Sequence, residues 1–467
     1  MKKLFTSFVA ALALVFVVGS SLVSAANKYP IVLVHGCGGW GPGDFFNIPY
    51  WGSLQGDFIS KLKAEGHEVY AVGVGKFSSD WDRAVEIYAQ LKGGRVDYGA
   101  NHAAKHGHER YGRTYPGLFP KWGEVIDGQL QKVHLIGHSQ GGTTIRMLAQ
   151  LLNTGTKGVE IQEDPNGHPL WAGGKDWVHS ITGLSAPFQG STLTEYVKPG
   201  LEGVETFVAT VAAIYGIVGD LDATFYDPVM DQWGIAKKQP NESFKDYFKR
   251  LPTSKLYQPG VEDNSATSLS IDGAKKQNSW IKTLPQVYHY TFVSEATFNF
   301  RDFKLRKIAL PNPTVTNPVM LPLATMLGSH DTVKRGFSEA WLANDGFVPT
   351  IAQLGDGVAP VINFDGKSVR GQWVRFKTMT LDHWGAIGAN PLQKVYSMYS
   401  AHAKLLADLP SHEKPNGRML SDDSNAGNVT ESDVDVHEAP SDIIQAIIDA
   451  QKELLPPADL PPEVQDP

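Results

Sequence analysis

Short apolar runs closed by glycine or polar residues recur along the first two thirds of the chain. Residues 30–35 (Pro-Ile-Val-Leu-Val-His) end at Gly36 and predict a buried strand. Further strand candidates lie at 67–74, 132–137, 178–185, 287–293 and 374–380, and 141–152 carries the pattern of a helix directly behind the third. Strands alternating with helical segments predict the α/β class, a mainly parallel sheet covered on both faces by helices. Residues 201–218 hold many apolar side chains and almost no charge, the pattern of a core helix or of a helical lid over an apolar site. No repeat with a period of 20–50 residues interrupts this order.

The two ends read differently. Met1-Lys2-Lys3 is a basic start, 4–18 is mostly apolar, and Val23-Ser24-Ala25 ends in small residues, so 1–25 is expected to be a signal peptide and the protein to be secreted. The apolar run is short for a bilayer span. From Ser411 onward there are 13 acidic residues against three basic ones, so 410–467 is expected to be an acidic, proline-bearing tail. Within it, 441–455 has the spacing of a short amphipathic helix that Ser441 would cap. The domain that folds is then expected to be 26–409.

Composition narrows the function classes. The 467 residues are 42% hydrophobic and 19% charged, with net charge −7, ordinary for a globular chain and unlike a collagenous or disulfide-dense one. No Lys/Arg block is present, which argues against nucleic acid as a partner. A single cysteine permits no internal disulfide, so in an exported protein another staple is expected.

Gly137-His138-Ser139-Gln140-Gly141 matches G-x-S-x-G, after a predicted strand and before a predicted helix. That context lifts a serine oxygen clear of the sheet on a sharp turn, with a helix N-terminus behind it that favours developing negative charge. Ser139 is therefore the candidate nucleophile. An oxyanion hole needs two backbone N–H donors. The residue after the nucleophile, Gln140, supplies one, and the loop His35-Gly36-Cys37-Gly38-Gly39 supplies the other through the Cys37 amide. In such hydrolases the acid and then the base follow the serine along the chain. His383, in Leu381-Asp382-His383-Trp384-Gly385 after the last candidate strand, is the best-placed base, and Asp345, before a turn glycine, is the preferred acid over Asp365 and Asp382. Asp80-Trp81-Asp82 and the histidines of 101–108 (Asn-His-Ala-Ala-Lys-His-Gly-His) could form a nitrogen/oxygen metal site or simply a polar surface loop.

Longer strings carry a resemblance. Residues 78–118, together with Tyr50-Trp51-Gly52, His138-Ser139-Gln140-Gly141-Gly142, Asp231-Gln232-Trp233-Gly234, Asn344-Asp345-Gly346 and Asp382-His383, resemble the bacillary thermostable lipases and their staphylococcal relatives. The resemblance runs, with gaps, from about Ile31 to about Leu406. It implies an α/β-hydrolase fold with a zinc-bearing insertion and a helical lid, the triad Ser139, Asp345 and His383, and a structural zinc held by Asp82, His102, His108 and Asp231. It also implies cleavage of acylglycerols at a lipid–water interface. Two positions depart from it. The first oxyanion residue is Cys37 where the family usually has a bulky aromatic. The family's calcium carboxylates after the catalytic histidine are replaced by Gly385 and by Asn390 of Asn390-Pro391, so calcium is not expected. A short-chain or polyester esterase, and a non-catalytic zinc-stabilised lipid-binding module, are the alternatives. No protein partner can be inferred.

Overall fold

The structure is a computed structural model that describes residues 26–196, 227–243, 246–247, 254–258, 260–411 and 436–454. The expected signal segment and the apolar 201–218 stretch lie outside the described residues.

Seven strands form one sheet: β1 (Ile31–Val34), β2 (Val69–Val72), β3 (Val133–His138), β4 (Val178–Leu184), β5 (Tyr288–Phe292), β6 (Val361–Asn363) and β7 (Trp373–Arg375). Their order across the sheet is β6-β7-β5-β4-β3-β1-β2, and every pairing is parallel. All six expected strands are present. The last starts at Trp373 and ends at Arg375; beyond it the amides of Phe376 and Met379 donate to Thr291 O and Val293 O, and Met379 makes an isolated parallel bridge with Ser294. The additional edge strand β6 is Val-Ile-Asn, too short to give a periodic signal.

Parallel strands buried on both faces read as continuous apolar runs, and β1 shows why. Ile31 and Leu33 point into one core with Tyr290, Phe292, Phe376 and Leu405. Val32 and Val34 point into the other, with Val85, Leu135, Leu148 and Ile181. Helix α1 (Asp80–Lys92) and helix α2 (Gln140–Thr154) cover the second face. Helix α3 (Tyr396–Asp408) covers the first. From β1 the chain goes outward to β2 and returns to β3 on the opposite side of β1. The carboxyl ends of β1 and β3 thus flank a point where strand order reverses, the usual place for a site in an open α/β sheet.

The C-terminal helix expected from the sequence is α4 (Ser441–Lys452). Ser441 lies inside its first turn and Pro440 takes the cap position, with no side-chain cap bond. The helix is docked, not free: Ile447, Ala450 and Leu454 are buried in the first core. Strand Val436–Glu438 pairs antiparallel with Lys367–Val369, and His437 Nε2 lies 2.8 Å from Asp408 Oδ2. The Thr380 amide, three residues before His383, donates to the Leu454 carbonyl.

Candidate active site and metal cluster

Ser139 follows β3 and caps α2 with φ 54° and ψ −129°, a backbone conformation that non-glycine residues rarely hold. Its neighbours must be small. A Cβ on Gly137 would lie 2.2 Å from the Gly141 carbonyl carbon, and one on Gly141 would lie 2.2 Å from Val34 O. The two glycines let the turn close against β1. Gly36, at the end of β1, packs so tightly on Ser139 that a Cβ there would lie 3.2 Å from the serine Oγ. The loop that runs on from Gly36 to Cys37 thus starts against the Ser139 side chain.

His383 and Asp345, the expected base and acid, are in direct contact. His383 Nδ1 is 2.8 Å from Asp345 Oδ2, and the His383 amide donates to Asp345 O at 2.9 Å. The other carboxylate oxygen accepts from the amides of Phe347 at 3.0 Å and Val348 at 2.8 Å. Asp345 is fully buried, and its rivals lie elsewhere. Asp365 accepts a hydrogen bond from the Lys367 amide. Asp382 accepts from the amides of Asn317 and Gly385, both at 2.6 Å, and from Asn390 Nδ2 at 2.9 Å. Burial pushes the Asp382 carboxyl up to about 6. Asn390 Nδ2 also donates to Val315 O at 2.7 Å, so its amide bridges the carboxylate and a carbonyl. Gly385 offers no side chain here.

Two residues outside the expected set join the loops of the site. The Gly36 amide donates to Tyr50 Oη at 3.1 Å, and Tyr50 Oη is 2.7 Å from His138 Nδ1. His138 Nε2 then donates to His383 O at 2.9 Å, and the two imidazole rings lie 4.6 Å apart. Burial, with a smaller contribution from the neighbouring His383, holds His138 well below the usual histidine range. It therefore stays a neutral linker with one donor and one acceptor nitrogen. A third residue, Ser265, is buried at the first position of the helix Ser265–Leu269. Its Oγ donates to Gln140 Oε1 at 2.8 Å and to Ser78 O at 2.9 Å. Gln140 Nε2 donates to Ser78 O at 3.0 Å. Burial pushes the Cys37 thiol up to about 11, so it stays protonated at neutral pH and is a poor nucleophile. Arg83 on α1, fully buried, donates to Thr144 Oγ1 on α2 at 3.0 Å, to Gly75 O at 2.9 Å and to His35 O.

The metal cluster differs from the expectation at one position. Asp82, His102, His108 and Asp263 bring one donor atom each within 4.8 Å of one another. His102 Nε2 is 3.3 Å from Asp82 Oδ1 and 3.2 Å from Asp263 Oδ2, and His108 Nε2 is 3.2 Å from Asp263 Oδ2. Asp231 is not in the cluster. Its carboxylate is 43% exposed and pairs with Arg113, which also holds Asp227. The Asp231-Gln232-Trp233 string serves the site from outside instead. Gln232 Nε2 donates to Asp82 Oδ2 at 2.8 Å, and the Trp233 ring lies 4.7 Å from His108. The donor set fits a divalent cation. Asp82 Oδ1 and His108 Nε2 are buried without a hydrogen-bond partner and face the same point. His108 Nδ1 donates to Glu109 O at 2.8 Å, which leaves the Nε2 lone pair free. Trp81 stacks on His102 at 4.9 Å and 8°.

Residues 27–409 match the family model described as "Lipase-like, C-terminal domain". The chain belongs to this lipase family. "Lipase 2" of Staphylococcus aureus is 36% identical over 381 residues, covering 79% of this chain and 51% of the relative, so the chain spans about half the length of that curated relative. Among solved structures, EstA from Clostridium botulinum superposes with TM-score 0.72 at 35% identity, covering 84% of this chain and 90% of the other. Lipase 1 from Pelosinus fermentans gives 0.70 at 35%, covering 82% and 99%. Staphylococcus hyicus lipase gives 0.65 at 30%, covering 82% and 97%. The seven-stranded parallel sheet with helices on both faces is the α/β-hydrolase fold of this lipase family. The family model ends at 409, so the docked segment Val436 to Leu454 lies beyond it.

Proposed function

We propose that this chain is a secreted serine hydrolase that cleaves carboxylic esters, with acylglycerols at a lipid–water interface as its substrates. The observation that carries the reading is the His383–Asp345 bond of 2.8 Å, made by the loop that His138 ties to the serine turn. With Nδ1–H donated to the buried carboxylate, His383 keeps Nε2 as the base for the Ser139 proton. Ser139 Oγ attacks the ester carbonyl. The amides of Cys37 and Gln140 hold the oxygen that becomes negative, which removes charge development from the barrier. The imidazolium then gives its proton to the departing alkoxide, and an acyl-serine ester remains. Water repeats the sequence, with His383 again as base, and releases the carboxylic acid.

The four-residue cluster is read as a structural zinc site. Two imidazoles and two carboxylates are zinc donors, all four positions are taken by protein, and no open position is left for catalysis. The ion would tie α1, the 102–108 segment and the 263 loop together, the staple that a one-cysteine exported protein otherwise lacks.

Nitrophenyl esters of increasing chain length, assayed with and without emulsified triglyceride, test the reading. Ser139→Ala is expected to lower turnover on the order of 10⁴-fold or more, and a serine-directed phosphonate to label the parent at Ser139 alone. Retained turnover in a clean Ser139→Ala preparation overturns the triad. Turnover confined to soluble short esters overturns the acylglycerol assignment while leaving the triad in place.

A further inference from the structure

The carboxyl edge of the sheet carries a hairpin that the catalytic reading does not use. It consists of strands Thr297–Arg301 and Lys307–Pro311, paired antiparallel. It rises from the end of β5 beside the acid loop: the Ala296 amide donates to Asn344 O at 2.9 Å, and the Asn344 amide donates to Thr297 Oγ1 at 3.0 Å. Asn344 directly precedes Asp345. The base of the hairpin is thus fixed to the triad loop. On its far side it packs through Ala309, whose amide donates to Gly328 O.

Its tip is built to present apolar side chains to the outside. Phe303 is 89% exposed, Leu305 74% and Phe300 53%. Among the described large hydrophobic side chains that are exposed, Phe303 and Leu305 are the two most exposed, and they stand two residues apart. The turn that carries them is held rigid. Asp302 Oδ1 accepts from the amides of Lys304 at 2.8 Å and Arg306 at 3.0 Å, and Asp302 O accepts from the Leu305 amide at 2.8 Å. Leu305 has φ +60°, a region in which a branched side chain is rarely found. A soluble surface gains nothing from ordering a strained leucine and a phenylalanine in water.

Charge identifies what meets this tip. The chain as a whole carries −7, yet residues 301–307 (Arg-Asp-Phe-Lys-Leu-Arg-Lys) hold four cations against one anion. Asp302 is occupied by Arg306, through Nε at 2.8 Å and Nη2 at 2.5 Å. Arg301, Lys304 and Lys307 remain as a basic collar around the apolar tip. Arg301 Nη1 donates to Leu305 O at 2.9 Å. Apolar side chains that insert, ringed by cations that stay at headgroup level, are the elements of an interfacial anchor.

We propose that the 297–311 hairpin docks this protein on lipid surfaces bearing negatively charged headgroups, with Phe303 and Leu305 inserted and Arg301, Lys304 and Lys307 against the anions. It rests on the acylglycerol reading for its purpose, since docking beside the Asp345 loop would bring the triad edge to the interface. As a binding claim it can be read without any turnover.

The test uses the full chain and four proteins: the parent, Phe303→Ser/Leu305→Ser, Lys304→Gln/Lys307→Gln, and Ser139→Ala. Partition is measured by flotation with vesicles of phosphatidylcholine alone and of phosphatidylcholine mixed with phosphatidylglycerol. Turnover of a soluble short-chain nitrophenyl ester is measured beside it. The parent and Ser139→Ala are expected to bind the anionic vesicles equally, more tightly than the neutral ones, and less tightly at high salt. The Phe303/Leu305 pair is expected to lose partition by about 100-fold, the effect of removing two insertable apolar side chains. The Lys304/Lys307 pair should lose about tenfold or more on anionic vesicles only. Both double variants keep the soluble-ester turnover of the parent, because the substituted side chains touch nothing in the triad. A parent that does not float, or a Phe303/Leu305 variant that floats as the parent does, overturns the anchor. Equal loss of the lysine variant on neutral and anionic vesicles overturns the charged partner. A parent that binds as described but hydrolyses no ester refutes the functional reading and leaves the anchor standing.

Discussion

Asp263→Asn and Asp231→Asn separate the two possible fourth ligands, and they should differ in a way that calorimetry can resolve. Asp263 Oδ2 is 3.2 Å from both His102 Nε2 and His108 Nε2, whereas the Asp231 carboxylate lies at the surface against Arg113. Removing one of two buried carboxylate ligands is expected to release the zinc. An ion present at about 1,000 times its dissociation constant stabilises the folded state by about 4 kcal/mol. Unfolding entropy of about 2.1 cal/mol/K per residue, over the roughly 380 residues of the family-matched span, is about 0.8 kcal/mol/K. Zinc loss therefore lowers the melting temperature by about 5 °C. An exposed ion pair contributes about 1 kcal/mol at most, so Asp231→Asn should cost about 1 °C and keep the metal. The assay is elemental analysis of protein purified without added metal, followed by scanning calorimetry with and without a chelator. The chelator should bring the parent down to the level of Asp263→Asn and leave that variant unmoved. The reasoning is refuted if Asp231→Asn loses the zinc while Asp263→Asn retains it, or if the parent contains none.

Three further outcomes can be checked. Ser265→Ala should lower kcat by about tenfold with KM little changed, because it frees the side chain of Gln140, whose amide is the proposed oxyanion donor, and direct loss of such a donor costs about 10²–10³; an equal rise in KM with kcat intact would show a binding role instead. Millimolar calcium, added after chelation that spares the zinc, should move the melting temperature by less than about 1 °C, since the Asn390 amide already bridges Asp382 and Val315 O where a cation would need oxygen ligands; a shift of many degrees would show another ligand set. Ile447→Ala should cost about 2–5 kcal/mol, as expected for a buried aliphatic side chain, seen as a lower denaturant midpoint with unchanged slope; no change would mean that helix α4 does not stay docked in solution.

Much of the sheet was legible because its strands are buried on both faces and so write themselves as unbroken apolar runs. β1, β3 and β4 are of that kind, with every residue buried. What was not legible is short or is paired from afar. β6 is a three-residue edge strand. The strand Val436–Glu438 reads as an acidic tail, because its partner Lys367–Val369 lies some seventy positions earlier and the charged residues around it stay at the surface. Acidic composition predicts poor burial only where too few apolar residues accompany it. In 441–454 Ile443, Ile444, Ile447 and Leu454 meet the core, and that face is what docks, while Ile448 stays exposed.

The site divides in the same way. Ser139, Asp345 and His383 could be proposed from the sequence because each sits in a local pattern whose backbone such chemistry constrains: a glycine-flanked turn, a turn before glycine, a loop after the last strand. The fourth residue of the cluster had no such pattern. Asp231 stood in a distinctive string, and that distinctiveness is real but belongs to the support of the cluster, since Gln232 orients Asp82 and Trp233 packs on His108. Asp263 stands in Glu-Asp-Asn-Ser-Ala, which carries no signal in isolation. Its meaning lies in three dimensions, as does that of Ser265 two residues later. One five-residue stretch supplies both a carboxylate of the cluster and the hydroxyl that meets Gln140. Ser78, whose carbonyl accepts from Gln140, lies four residues before the ligand Asp82. The cluster and the oxyanion loop are thus held by the same two short segments. Losing the ion should loosen those segments, so metal removal is expected to lower kcat as well as the melting temperature.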